Sequence, residues 1–230
     1  MSNDNTTTSP SFCDELQAAA GDQWERVVGH KFTQELAAGT IDRHAVLKRY
    51  LIQDYRFLDA FLVLLGSIVA NARELQDRIP ACQFLAVVTS AENTYFERCF
   101  EKLGVVKAGA DEPDAPCTVG FCDLMRDVAQ NGTLAEMLSV ITVCEWTYLT
   151  WANRVLAADA GVNREDFVTY EWVDLHSGPE FEGVVAYFKG LLDKEGRLIS
   201  DEEKERCKAR FLLAMQLEED FFDMAYEGKK

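Results

Sequence analysis

The sequence predicts an all-α helical bundle built as one domain. Apolar residues recur at three- and four-residue intervals almost throughout, and strand-like alternation is scarce. Only five prolines interrupt the 230 residues. At 48 % hydrophobic and 27 % charged, the chain has ample material for one core.

The opening MSNDNTTTSP is polar and is read as a disordered tail over residues 1–10, with the domain running over 11–230. It lacks the apolar stretch of a signal peptide. Helices are predicted over 12–37, 43–72, 78–104, 117–130, 133–158, 163–172, 178–193 and 202–226. Clear punctuation stands at GTIDR (39–43), at GVVKAGADEPDAPC (104–117), at NGT (131–133) and at DKEGRLIS (193–200). Asp201 and the charges after it mark the start of the last helix. The longest apolar run, FLDAFLVLLGSIVANA (57–72), is broken by Asp59 and Asn71 and is too short for a membrane span.

The formal charge of −16, without any basic run, excludes nucleic acid as a partner, because phosphates need clustered Lys and Arg. The seven cysteines are odd in number and show no CxxC pair, so reduced thiols in a cytoplasmic protein are expected. His30, His44 and His176 form no HxxxH, ExxH or HExxH pattern, and no Gly-rich phosphate loop or Gly-x-Ser-x-Gly elbow occurs. No metal and no cofactor are expected. Each histidine reads as a surface or capping residue.

Three helices carry polar groups on apolar faces. In YLIQDYRFLDAFLVLLG (50–66), Asp54 falls within the stripe Leu51, Leu58, Leu62, Leu65. A carboxylate there is costly unless paired. It is either a buried ion pair or a ligand-gripping group, and position alone leaves both open. In FLLAMQLEEDFFDMAY (211–226), Glu218 falls within the stripe Phe211, Met215, Phe222, Ala225. Glu219 and Asp220 adjoin it, so a one-residue rotation gives a solvated face, which the residues alone favour. In ITVCEWTYLTWA (141–152), Cys144 and Tyr148 share a helix face, with Trp146 and Trp151 nearby. Core packing is the plain reading, and a nucleophile with a hydrogen-bonding neighbour is the sharper one.

In this order, these three points resemble the thiaminase II (TenA) family. HKFTQELAAGTIDRHAVLKRYLIQDYRFL (30–58) is similar to its opening, an HPF motif followed by Y-hydrophobic-x-Q-D-Y. GTLAEMLSVITVCEWTYL (132–149) resembles its AELLAALLPCxWxY helix, and LEEDFFDMAY (217–226) its terminal ExxFWxMAY. The resemblance implies a haem-oxygenase-like bundle, assembled as a homotetramer. It also implies hydrolysis of 4-amino-5-aminomethyl-2-methylpyrimidine to the hydroxymethyl compound and ammonia, in salvage of thiamin breakdown products. Some members also cleave thiamin. It implies Cys144 as nucleophile, Glu218 as proton donor to the departing amine, Asp54 as the grip on the pyrimidine's amidine edge, and Tyr148 as a substrate contact.

The chain departs from that pattern at several places. Phe57 stands where many members have a tyrosine that assists the cysteine. Gly120 or Phe121 stands at another tyrosine position, His176 at a third, and HKF replaces HPF. Phe57 is expected to stack on the ring, and His176 to bond the substrate while titrating near neutrality. Two further readings are open. One is a pyrimidine-binding member with altered catalysis, motivated by the lost tyrosines. The other is a di-iron oxidase of the same fold, which the missing H-x-x-x-D-x-x-H pattern disfavours.

Overall fold

Ser11 starts the first helix with a reciprocal cap: its hydroxyl accepts from the Asp14 amide, and the Asp14 carboxylate accepts from the Ser11 amide. The computed structural model describes residues 10–109, 111–158 and 161–227; the expected tail, up to residue 9, lies outside them. Among the described residues there are helices and no strands.

In chain order the helices are α1 (Phe12–Ala20), α2 (Asp22–Val28), α3 (Lys31–Ala37), α4 (Lys48–Asn71), α5 (Leu75–Val87), α6 (Asn93–Leu103), α7 (Pro116–Asn131), α8 (Leu134–Ala158), α9 (Phe167–Leu175), α10 (Gly178–Gly196) and α11 (Asp201–Tyr226). A π turn, Arg43–Leu47, leads into α4, and a second, Val88–Glu92, joins α5 to α6.

Two boundaries differ from the expected ones for clear reasons. The single helix over 12–37 is three short helices. Gly21 breaks it with φ +52°, a conformation that L side chains rarely adopt, and the His30 imidazole caps α3 by accepting from the Phe32 amide at 3.2 Å. The helix placed at 163–172 begins at Phe167, because the Asp166 side chain caps it and is itself held by Arg43 at 2.5 Å.

Helix α8 forms the centre. Nearly every residue from Leu134 to Tyr148 is buried, on all faces, against α4, α7, α10 and α11. The long connection before α7 is strapped to α4. The Gln53 amide donates to Pro113 O at 3.0 Å and accepts from the Ala115 amide at 2.9 Å and the Thr118 hydroxyl at 2.7 Å. Arg56 bonds Asp114 and the carbonyls of Gly109 and Glu112. These ties hold the α4 turn that carries Asp54.

Two buried acids, Glu195 and Glu136, are matched by arginines. Glu195, 1 % exposed, takes two 2.8 Å bonds from Arg73. Glu136 closes the cap at Thr133 and faces Arg206 at 3.5 Å and Arg210 at 3.9 Å.

Candidate active site

Six residues singled out in the sequence meet at one cavity. Asp54 and Phe57 come from α4, Cys144 and Tyr148 from α8, His176 from the end of α9, and Glu218 from α11. The expectation of a solvated face for Glu218 is overturned. It is 3 % exposed, and its neighbour Glu219 takes the outward position, paired with Arg26. Cys144 is buried, as a core thiol would be, yet it lines this cavity. Trp146 lies apart from it, packed edge-on against Trp24 with the Lys189 ammonium over its ring.

Aromatic rings form much of the lining. Phe57 meets Phe121 edge-on at 5.0 Å and Phe221 at 6.3 Å. Phe121 is the lining residue at the departed tyrosine position, whereas a Cβ on Gly120 would meet Leu217 of α11. The Tyr148 hydroxyl bonds the buried Tyr50 hydroxyl at 2.7 Å.

His176 is the C-cap residue of α9, as a capping reading expects, and it is buried rather than at the surface. Its Nδ1 sits 2.8 Å from Trp172 O. A carbonyl only accepts, so Nδ1 carries the hydrogen and Nε2 is left as an acceptor. Burial lowers its pKa to about 4, against the pull of the Trp172 carbonyl. The expected titration near neutrality is thereby corrected.

The lining also holds two carboxyls that periodicity did not reveal, Glu92 and Glu145. Glu92 ends the Val88–Glu92 π turn, where the extra residue breaks the 3.6-residue register. Glu145 sits on a helix buried all round, where spacing distinguishes no face. An acid in the middle of the apolar run ITVCEW was the signal available.

Burial dominates the proton affinities. It pushes Asp54 up to about 7 against the pull of the Tyr50 hydroxyl, and Glu218 up to about 8, with the charge of Asp54 adding. Glu92 keeps partial exposure, yet enclosure of its carboxyl and then Asp54 raise it to about 8. Glu145 rises well above the carboxylate range through burial, then through Glu92, Glu218 and Asp54. The Cys144 thiol is raised by burial, then by Glu218 and Glu145, and its S–H faces Val140 O at 3.6 Å. Among the described residues no lysine or arginine lines the cavity. Asp54 Oδ2 is buried without a hydrogen-bond partner.

Among the described residues no group of three or more His, Cys, Asp or Glu side chains is placed to hold a metal ion. No described helix is long and apolar enough to cross a membrane. All seven cysteines are free thiols, and only Cys82 is exposed.

The family described as TENA/THI-4/PQQC matches residues 17–228 of this chain. The chain belongs to the TENA/THI-4/PQQC family. Its similarity to the aminopyrimidine aminohydrolase of Halalkalibacterium halodurans is 28 % identity, covering 95 % of this chain and 97 % of that protein. The aminopyrimidine aminohydrolase of Bacillus subtilis is 25 % identical, covering 94 % of this chain and 89 % of that protein. Among solved structures, a TenA homologue from Pyrococcus furiosus superposes with a TM-score of 0.82 at 22 % identity, covering 94 % of this chain and all of that one. The TenA-type bundle is thus the fold of this chain.

Proposed function

We propose that this protein is an aminopyrimidine aminohydrolase of the thiaminase II type. In this reading it displaces an amine, or the thiazole of thiamin, from a 5-substituted 4-amino-2-methylpyrimidine. One observation carries the reading: a thiol on α8 and carboxyls on α4 and α11 line one aromatic cavity, with Asp54 Oδ2 unpartnered there. The names of the relatives support the same chemistry. The cytoplasmic setting, the homotetramer and a place in thiamin salvage belong to this reading as well.

The raised proton affinity of Cys144 sets the first step. A buried thiol is a poor nucleophile until a base takes its proton. Among the carboxyls, Glu218 acts on it most strongly. In its ionised form Glu218 accepts the thiol proton and passes it to the amine nitrogen of the substrate. Sulfur then bonds the unsubstituted ring carbon, the displaced electron pair forms an exocyclic C=CH2 bond, and the C–N bond breaks to release ammonia. Water adds to the methylene and gives a proton to Glu218. The electron pair returns to the ring, the C–S bond breaks, and Glu218 reprotonates the sulfur. Asp54 accepts from the exocyclic amino group and from a protonated ring nitrogen, which keeps the ring electron-poor. The aromatic lining, Phe57 among it, stacks on the ring, and Tyr148 and neutral His176 Nε2 supply polar contacts.

The decisive assay measures ammonia release from 4-amino-5-aminomethyl-2-methylpyrimidine by the unaltered chain and by Cys144→Ser. A fall of about 10³-fold is expected, equivalent to ~4 kcal/mol of barrier. Equal rates would remove the cysteine from the chemistry. Phe57, which offers no hydroxyl to the thiol, favours a second reading, a pyrimidine-binding protein. Tight binding of the hydroxymethyl compound without turnover of any aminopyrimidine would select it.

A further inference from the structure

Three polar groups of the cavity lining converge on a residue that the reaction above leaves without a task. Tyr50 stands four residues before Asp54 on α4, so the two side chains share one helix face. Its ring is fully buried behind the lining, edge-on to Trp172 at 6.4 Å and tilted on Phe32 at 4.4 Å. Its hydroxyl meets the Tyr148 hydroxyl at 2.7 Å. Trp172 in turn lies edge-on to Tyr148 at 6.4 Å, and Asp54, Tyr148 and Trp172 all line the cavity. Two of these three carry a polar atom that is buried without a hydrogen-bond partner among the described residues, Asp54 Oδ2 and Trp172 Nε1. An indole nitrogen only donates, a carboxylate only accepts, and a phenol does both. Tyr50 is therefore the group that can serve both sides. Its own hydrogen has two takers, Tyr148 and Asp54, and a carboxylate is the stronger acceptor. With that hydrogen on Asp54, the Tyr50 oxygen is free to accept from Trp172 and from Tyr148. Burial raises the proton affinities of Tyr50, Tyr148 and Asp54, and their hydrogen bonds run in this same order: those from Tyr148 and Trp172 lower Tyr50, the bond to Tyr50 raises Tyr148, and Tyr50 lowers Asp54.

We propose that Tyr50 is the positioning residue behind the substrate grip: as the pyrimidine seats, its hydroxyl gives its hydrogen to the Asp54 carboxyl and accepts those of Trp172 and Tyr148, so that Asp54 is fixed in place and Tyr148 meets the substrate as an acceptor. The proposal rests on the pyrimidine reading above and adds the residue that orders its polar contacts. Tyr50 touches no substrate and acts through its neighbours. Hydrogen bonds of this kind are often long before the substrate arrives and tighten in the complex. A carboxyl held from behind by one oxygen keeps the other for the amidine edge instead of rotating away from it. The Tyr148 oxygen, its hydrogen turned inward, joins neutral His176 Nε2 in accepting. These two contacts then select for N–H or O–H groups on the substrate.

The test is Tyr50→Phe, which removes one oxygen and keeps the ring. Saturating the unaltered chain with the hydroxymethylpyrimidine is expected to move the NMR signal of the Trp172 indole N–H downfield, and Tyr50→Phe is expected to lose that movement. Trp172→Phe assigns the signal among the four tryptophans. Calorimetry across pH gives the second readout. A carboxylate that loses a donor binds its proton more tightly, so the penalty should grow as pH falls. The Kd of Tyr50→Phe is expected to be about tenfold weaker than the parent's at pH 6 and within about threefold of it at pH 9. Glu92, Glu145 and Glu218 face the same cavity and titrate in both proteins, so the ratio of the two Kd values isolates Asp54. A ratio that is flat across pH, or a Trp172 signal that moves alike in both proteins, overturns the proposal and leaves Tyr50 a packing residue. Should Tyr50→Phe fail to fold, a Trp172 signal that stays in place when the unaltered chain is saturated overturns it equally. An unaltered chain that binds no pyrimidine strikes the function proposed above and the role of Tyr50 together, whereas binding with a flat ratio strikes Tyr50 alone.

Discussion

Glu195 and Glu145 are both buried glutamates on long helices, and their surroundings are opposite. Glu195, on α10, is gripped by Nε and Nη2 of Arg73. Glu145, on α8, shares a cavity lining with Glu92, Glu218 and Asp54, and among the described residues no lysine or arginine lines it. The first arrangement is complete within the fold. Its charge is compensated, and losing the partner leaves a buried ion exposed to the full desolvation cost. The second is incomplete without a ligand. Its acids hold protons into the neutral range, which costs stability but stores affinity for a cation or a hydrogen-bond donor. A buried acid therefore reads as structural or functional according to whether the fold itself supplies its counter-charge.

The largest effect on stability is expected at the paired acid. Arg73→Met should lower the urea unfolding midpoint at pH 7, with kcat unchanged. An unchanged midpoint would mean that Glu195 finds another partner, and the contrast would fail. The opposite sign is expected at the cavity. The folded pKa of Glu218, about 8, lies above its unfolded value, so the unfolded state ionises first as pH rises. Stability present below pH ~4 is lost progressively up to pH ~8. Glu218→Gln removes that loss. It should stabilise the ligand-free protein by about 2 kcal/mol at pH 9 and by nothing measurable at pH 4, while turnover falls steeply. Thermal melts across pH that show no such divergence would place Glu218 in a solvated setting. The smallest effect concerns His176. With its pKa near 4, it stays neutral across the working range. The pH profile of kcat/KM should then show no histidine inflection between about 6 and 7, in the parent or in His176→Gln. An inflection there that the substitution abolishes would restore the neutral titration expected from sequence.

Several features were legible because they are local. The leucine stripe around Asp54 marked a carboxyl facing the core, since one face of α4 is buried and the other is not. Glu218 was ambiguous, because Glu219 and Asp220 follow it and one residue of rotation exchanges their environments. Packing of α11 against α7 and α8 chose the rotation. The break of 12–37 into three helices turned on one glycine and one histidine cap, both readable only once their backbone angles are known.

The sequence by itself determined the helical class, the strong acidity and the presence of a thiol, a tyrosine and one acid, Asp54, on apolar faces. These follow from composition and from the 3.6-residue period, which act along a single element. Only the tertiary structure decided that these groups share one cavity, that Glu92 and Glu145 join them, and that arginines serve Glu195 and Glu136 but not the cavity acids. The physical reason is that counter-charge and enclosure come from residues far apart in the chain. A π turn or a fully buried helix removes the periodic signal that would have announced them.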